Sequence, residues 1–378
     1  MSRVAQQHKD LFRKLSVEFW QCYISILYFS MSMLSSDLYC NKDGKRFDIL
    51  KIVLAVFIVA IHTTPVEFGL RPIFRVAVPL FFIMTSYFFF LKQKQMHSKE
   101  EKKKGLLGFV KRYLVLYLFW FVVLLPITVI VRKWYVIDND IIIRVLQCFL
   151  FGSTFRASWF LMASLLSVIF VWFVSKRISN TLLVVLGLFL YLFCCLFSNY
   201  KDLINNEVLI EIYKKYVLLF KRPYNSFPVA VLFVVVGKVL AEKSVVVSNM
   251  KIIFFLCVSI FFLYAEFYFV QNDSHVINDD CFFSLIPLSV LLFMFIGQNY
   301  INYNGETRNI RKCSTVIYCC HGSIASVMKY VLLQIGVVSG LVFYAILFFI
   351  TLLISLGVYQ LMCLLSQYTN FQFVKWGS

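Results

Sequence analysis

The sequence predicts an all-α, polytopic integral membrane protein of about ten transmembrane helices. Of its 378 residues, 61% are hydrophobic and only 15% charged, against roughly 45–50% apolar and about 25% charged in soluble domains. Apolar runs of about 20 residues, long enough to cross a bilayer, recur along the chain. The polar connections between them are short, leaving no room for a separate globular domain.

Hydropathy places spans near 49–66, 75–91, 112–131, 157–175, 181–198, 226–241, 251–270, 282–298, 314–334 and 338–362. Residues 1–45 are weakly apolar, interrupted by Glu18, Gln21 and several serines, with no clear small-residue cleavage site. They read as a leader or interfacial segment rather than a signal peptide or a full span. The expected plan is this segment, a transmembrane domain over 46–365 and a short cytoplasmic tail over 366–378. Little chain remains after the tenth span, so no fused extracytoplasmic domain is expected. No internal repeat supports an inverted-repeat transporter.

Loop charge sets the orientation. Loop 92–112 carries Lys92, Lys94, Lys99, Lys102, Lys103, Lys104, Lys111 and Arg112, whereas 271–281 carries Asp273, Asp279 and Asp280 without a Lys or Arg. The first loop is then inside and the second outside, with both termini cytoplasmic and the protein in the inner cell membrane. Loop 199–225 disagrees, being placed outside yet holding Lys201, Lys214, Lys215, Lys221 and Arg222.

The formal net charge of +18, from 37 Lys and Arg against 19 Asp and Glu, follows from these inner loops. No nucleic-acid-binding motif accompanies it, so nucleic acid is excluded as a partner and membrane lipids are expected. The eleven cysteines lie largely in apolar runs without metal-ligand spacing to histidine. They read as buried apolar residues, with no metal site.

The first span carries the sharpest signal, because an ionisable group in a membrane helix is costly without a partner or a task. Lys51 and His62 are eleven residues apart, so they lie within about 20° of one helical face and roughly 16 Å apart along it. Asp48, three residues before Lys51, can pair with it at the inner end. Histidine exchanges protons near neutral pH, which makes His62 a candidate general base. The competing reading is an interfacial residue at a helix end beside Thr63, Thr64 and Pro65.

Arg75 and Ser86 are also eleven apart and share a face of the second span. His321 lies about 13 Å into the ninth span, counted from Lys312, with Tyr318 one turn away, and Trp159 opens the fourth. Glu266, toward the outer end of its helix, is assigned to the interface.

These residues carry a resemblance. Arg46, Asp48 and Lys51, followed by ten residues and His62, resemble the first helix of the acyltransferase-3 family of membrane O-acyltransferases. The family pattern there is Asp, two residues, Arg, ten residues, His, and Lys51 stands where the family usually has Arg. The stretch from Arg75 through Pro79 to Ser86 and Tyr87 is similar to the second helix, with Thr85–Ser86 replacing Ser-Gly. Phe109–Val115 resembles the basic entry to the third, with Val115 where a second arginine is common. Ser158–Leu161, Val236–Lys238 and Tyr318–His321 resemble the later Trp-Phe-Leu, glycine and Tyr-x-x-His motifs.

The resemblance covers residues 46 to about 362 and implies an acyltransferase. The reaction would move an acyl group, commonly acetyl from acetyl-CoA, to a hydroxyl of a cell-surface polysaccharide or lipid-linked glycan in bacteria. It implies His62 as base or transient acyl carrier, with Lys51 and Asp48 organising the mouth where the thioester enters. Arg46, Arg75 and Arg112 become candidate cations for the donor. Ser86, Tyr87, Trp159 and His321 become candidates for contact with the acceptor. Two alternatives remain: a glycan or lipid-linked-sugar transporter or flippase, and an acyltransferase-like protein that has lost activity. Acyl-CoA dependence separates them.

Overall fold

The computed structural model describes residues 44–368 apart from 66–67, 136–139, 152–153, 201–203, 205, 221, 244–246, 273–279, 300–304 and 338–339. The expected leader therefore lies outside the described residues except for Gly44 and Lys45. Of the expected tail only 366–368 is described, and it continues the last helix.

Among the described residues there is no strand. The helices are α1 (Lys45–Thr63), α2 (Arg71–Phe74), α3 (Ala77–Lys94), α4 (Lys99–Val123), α5 (Leu125–Val131), α6 (Ile141–Leu150) and α7 (Ser158–Val174). They continue with α8 (Asn180–Leu196), α9 (Glu207–Phe220), α10 (Phe227–Glu242), α11 (Asn249–Asn272), α12 (Leu285–Gln298), α13 (Arg308–Gln334) and α14 (Leu341–Tyr368).

Each of the ten expected spans falls on a helix, but the count of ten is not confirmed. Among the described residues five helices are long and apolar enough to cross a membrane, or six if α9 and α10, which meet at a 47° bend, form one span. α1 misses that test through Lys45, Arg46, Asp48 and Lys51, and α7, α8 and α12 through length. α11 and α14 each expose large apolar side chains, Phe254 and Phe261 on the first and Leu341, Phe349 and Leu353 on the second, suited to lipid rather than water.

Two loop expectations change. The lysine-rich segment is not a loop after Ser98: it forms the first three turns of α4. Ser98 Oγ accepts from Glu101 N at 3.0 Å, and the Glu101 carboxylate accepts from Ser98 N and His97 N at 3.3 and 3.0 Å. This capping box starts a helix that hydropathy cannot see, and Glu100 and Glu101 complement its N-terminal dipole. Loop 199–225 likewise contains α9.

Glu266 is not a solvated interfacial carboxylate. It accepts from Tyr200 Oη at 2.5 Å, Ser284 Oγ at 2.6 Å, and the backbone N–H groups of Phe283 and Ser284 at 2.7 and 2.9 Å. Those bonds fix the entry to α12 by supplying acceptors to N–H groups that the helix itself cannot satisfy.

The centre of the bundle is α10, apolar on all sides over Pro228–Val235 and packed against α3, α7 and α8. Between membrane helices small residues permit close approach where a hydrophobic driving force is lacking. Gly237 is such a point, since a Cβ there would overlap Ser86 Oγ and come within 2.5 Å of Ile83 O. Gly187 on α8 is another, its Cβ falling 2.9 Å from Leu232 Cα. Lys238 beside Gly237 is buried but satisfied by Glu242 and Asn180, both at 2.7 Å.

Gly237→Val forces α3 and α10 apart. A loss of about 1–3 kcal/mol is expected, read as a lower thermal midpoint in detergent, whereas Gly357→Ala, with nothing within 4 Å of the added carbon, leaves the midpoint near wild type.

Candidate functional site

α1 begins with charge and ends at a proline, and both ends are tied down. Thr64 is extended, as the residue before Pro65 favours. Thr63 and Thr64 hydroxyls donate to Val59 O and Ala60 O at 2.9 and 2.6 Å, and Arg71 Nη1 donates to Ile61 O and Thr64 O at 2.7 and 2.6 Å. The carbonyls of Val59, Ala60, Ile61 and Thr64, on either side of His62, are thus satisfied.

At the other end Asp48, buried, binds three groups. Oδ1 accepts from Lys51 Nζ at 3.1 Å, while Oδ2 accepts from Thr307 Oγ1 at 2.9 Å and lies 3.6 Å from Arg311 Nη1. The last two belong to the entry of α13, so a local pair expected within α1 is also a clamp between helices 259 residues apart in sequence.

From that clamp α1 and α13 run alongside one another, with Ala55 and Val59 packed on Cys313 and Ile317. Thr307 precedes His321 by fourteen residues, as Asp48 precedes His62, so the same rise of about 21 Å leads from clamp to histidine on both helices. The two imidazoles meet, with ring centroids 5.1 Å apart.

His321 is fully buried, and its Nδ1 lies 2.7 Å from Tyr318 O and 3.1 Å from Ile317 O. Carbonyls only accept, so Nδ1 carries the proton and Nε2 of the neutral ring presents a lone pair. Nε2 is buried with no hydrogen-bond partner among the described residues. Tyr318 is fixed by donating to Ala157 O at 3.0 Å.

At the clamp end lies a cavity of about 670 Å³. Lys51, Lys92, Lys104, Arg112 and Arg311 line it, with Phe81, Phe88, Phe109 and Phe160 on its walls. No Asp or Glu is among the described lining residues, so a polyanion would enter without like-charge repulsion. Tyr318 also lines it, packed against Phe81 and Phe160 at 5.8 and 5.2 Å. Neither histidine does. An aromatic layer one helical turn thick separates cavity from histidine pair.

The remaining candidates scatter. Arg112 is on the cavity, but Arg46 is off it, reaching Asn299 O at 3.5 Å, and so is Arg75, paired with Asp280 at 2.6 Å. Ser86 donates to Phe82 O at 2.9 Å and is pressed on Gly237, while the adjacent Thr85 lines the cavity and accepts from Tyr113 Oη. Tyr87 packs among Phe47, Phe88 and Phe293, and Trp159 against Phe82. Sequence reasoning weighed the lysine-rich loop that holds Lys92 and Lys104 as a contact for the donor's phosphates but favoured topology and lipid attraction for it, and it read Arg311 only as an inner-loop charge. A signal existed for Arg311, which precedes His321 by ten residues much as Lys51 precedes His62 by eleven.

The family model described as an acyltransferase domain, that of acyltransferase-3, matches residues 45–360. The chain belongs to the acyltransferase-3 family. Two Enterococcus faecalis proteins named amino-acid racemase are similar in part: one is 30% identical over 158 residues, 38% of this acyltransferase-3 chain and 21% of its own, and the other 23% identical over 213 residues, 53% and 29%. The chain thus spans between about a fifth and under a third of those curated relatives. No solved structure matches.

Asp48→Ala strands two cations and a hydroxyl, and a loss of about 2 kcal/mol or more is expected from these charge-assisted bonds. Thr307→Val removes one donor and costs less, so the thermal midpoints of the two variants should rank in that order below wild type.

Proposed function

We propose that this acyltransferase moves an acyl group, acetyl in the simplest case, from acyl-CoA to a hydroxyl of a cell-surface polysaccharide or lipid-linked glycan. The observation that carries the reading is the carboxylate-free basic cavity whose aromatic floor, Tyr318, lies one turn before the histidine pair. Coenzyme A carries a phosphoanhydride and a separate phosphomonoester, and five cations on one cavity suit that spread of charge better than a single phosphate.

In this reading the nucleotide end occupies the basic cavity, on the cytoplasmic side as loop charge suggests. The thioester arm passes the Tyr318–Phe81–Phe160 layer toward His62. There His62 removes the proton of the acceptor hydroxyl as its oxygen attacks the thioester carbonyl. The carbon–sulfur bond then breaks, and the sulfur leaves as the thiol of coenzyme A after taking a proton. The lone pair on His321 Nε2 gives the proton on His62 a place to be shared. A multi-pass arrangement in the inner membrane, with both termini cytoplasmic, brings donor and acceptor to opposite ends of α1.

Three outcomes are expected from purified protein supplied with acetyl-CoA and a crude glycan extract. Acceptor-dependent release of coenzyme A falls by about 10²–10⁴ in His62→Ala while the protein stays in the membrane fraction. The double variant Arg112→Gln, Arg311→Gln raises KM for acetyl-CoA about tenfold or more with kcat little changed. Added salt raises the wild-type KM, since the cavity is open to solvent. Wild-type turnover in His62→Ala would remove it as the base, and an unchanged KM in the double variant would remove the cavity as the donor site. Transport, or a scaffold without activity, predicts no thioester consumption by the wild type.

A further inference from the structure

The end of the bundle that holds the histidine pair is also positively charged, and this charge is not needed for the donor. Arg71, Arg75 and Arg156 are all close enough to His62 for their charge to act on it, and Arg156 acts on His321 as well. Arg71 is used as a cap, donating to the last carbonyls of α1. Arg75 is paired with Asp280.

Arg156 differs. It enters from the turn before α7, and its stem lies flat on α13 at Gly322, the residue after His321: a Cβ on Gly322 would fall 2.6 Å from Arg156 Cβ and 3.2 Å from its Cδ. Its Nη1 donates to Ser326 Oγ at 3.3 Å, one turn further along. Among the described residues no carboxylate pairs with it, and its charged neighbour is another cation, Arg132. Arg156 is solvent-accessible, so its guanidinium can be reached by an anion from outside the bundle.

We propose that Arg156, seated on Gly322 beside the histidine pair, binds an anionic group on the acceptor, so that the hydroxyl to be acylated belongs to a sugar bearing a carboxylate or a phosphate. The inference deepens the acyl-transfer reading and rests on it for the word acceptor, although the anion site itself does not require turnover. A planar guanidinium held at Ser326, just over one helical turn beyond His321 on α13, takes either oxyanion in bidentate fashion. It thereby sets the distance between the charged group of the sugar and the hydroxyl presented to His62. Nε2 of His321, unpartnered among the described residues, lies just over one helical turn back along α13 from that guanidinium.

The test is a binding measurement on full-length protein in detergent, using methyl glucoside, methyl glucuronide and glucose 6-phosphate as probes, with coenzyme A release recorded separately. Wild type is expected to bind at least one anionic sugar about tenfold or more tightly than the neutral glucoside. Arg156→Gln abolishes that preference and Arg156→Lys retains part of it, with both variants still binding coenzyme A as evidence of an intact fold. Preference for the glucuronide alone identifies a uronate-type acceptor, and for the sugar phosphate alone a phosphate-bearing one. Equal affinity for charged and neutral sugars, no binding of either anionic sugar, or a charge preference that survives Arg156→Gln overturns the proposal. Charge-selective binding without any coenzyme A release supports the anion site while removing the acyl-transfer reading.

Discussion

A single buried carboxylate sets the geometry on which the rest depends. Asp48 has the charge of Lys51 beside it on α1, and the hydroxyl of Thr307 and the guanidinium of Arg311 across from it at the entry to α13. Removing it would do more than lose bonds, because Lys51 and Arg311 would then face one another as like charges. The same two cations line the cavity, so Asp48 holds them at its edge while partly offsetting their mutual repulsion. A site built to receive a polyanion must carry excess positive charge before its ligand arrives, and a carboxylate placed behind the cations rather than in the cavity supports that charge without repelling the ligand.

The bundle serves this arrangement in two tiers. α10 has no role in the chemistry described, yet it is the most enclosed helix, and close contact at Gly237 and Gly187 holds α3 and α8 against it. α3 then carries Phe81, Thr85, Phe88 and Lys92 to the cavity wall. Ser86 belongs to this structural tier, its hydroxyl turned back on its own helix and its volume matched to a glycine. Polar groups within the bundle are paired with similar economy: Lys238 with Glu242 and Asn180, and Glu266 with four donors. Six buried side-chain polar atoms among the described residues have no partner, and of these Nε2 of His321 is the one that stands beside a second imidazole.

The helical membrane class and the family were legible in the sequence, because each depends on patterns that survive in one dimension: long apolar runs, and an ordered series of short motifs. The Asp48–Lys51 pair was legible for the same reason, being separated by one helical turn. What could not be read was any contact between distant segments. Arg311 looked like an ordinary loop charge until α13 was laid beside α1, and Arg156 drew no notice, since nothing in its neighbourhood announces that Gly322 will be its seat. The lysine-rich segment before α4 was obscured by a different cause: apolar length is a poor guide where a polar helix precedes the membrane, and the Ser98–Glu101 capping signal had to be weighed against it. Span number also depends on tertiary detail, since helices of 14–19 residues such as α1, α7, α8 and α12 are judged by tilt and by their neighbours rather than by composition.

The equal fourteen-residue spacing from clamp to histidine on α1 and α13 bears on how this chain can vary. One residue inserted on either helix between those points would turn its imidazole by about 100° and advance it by about 1.5 Å, so that the rings no longer meet. A matching insertion on the other helix would restore level but not direction, because both rings would turn in the same sense on opposite sides of their contact. Length within these two stretches is therefore expected to be far more constrained than residue identity, and among relatives the tolerated insertions and deletions should fall in the connections between helices. The pair of helices acts as a fixed gauge between two chemistries, while the loops around it are free to drift.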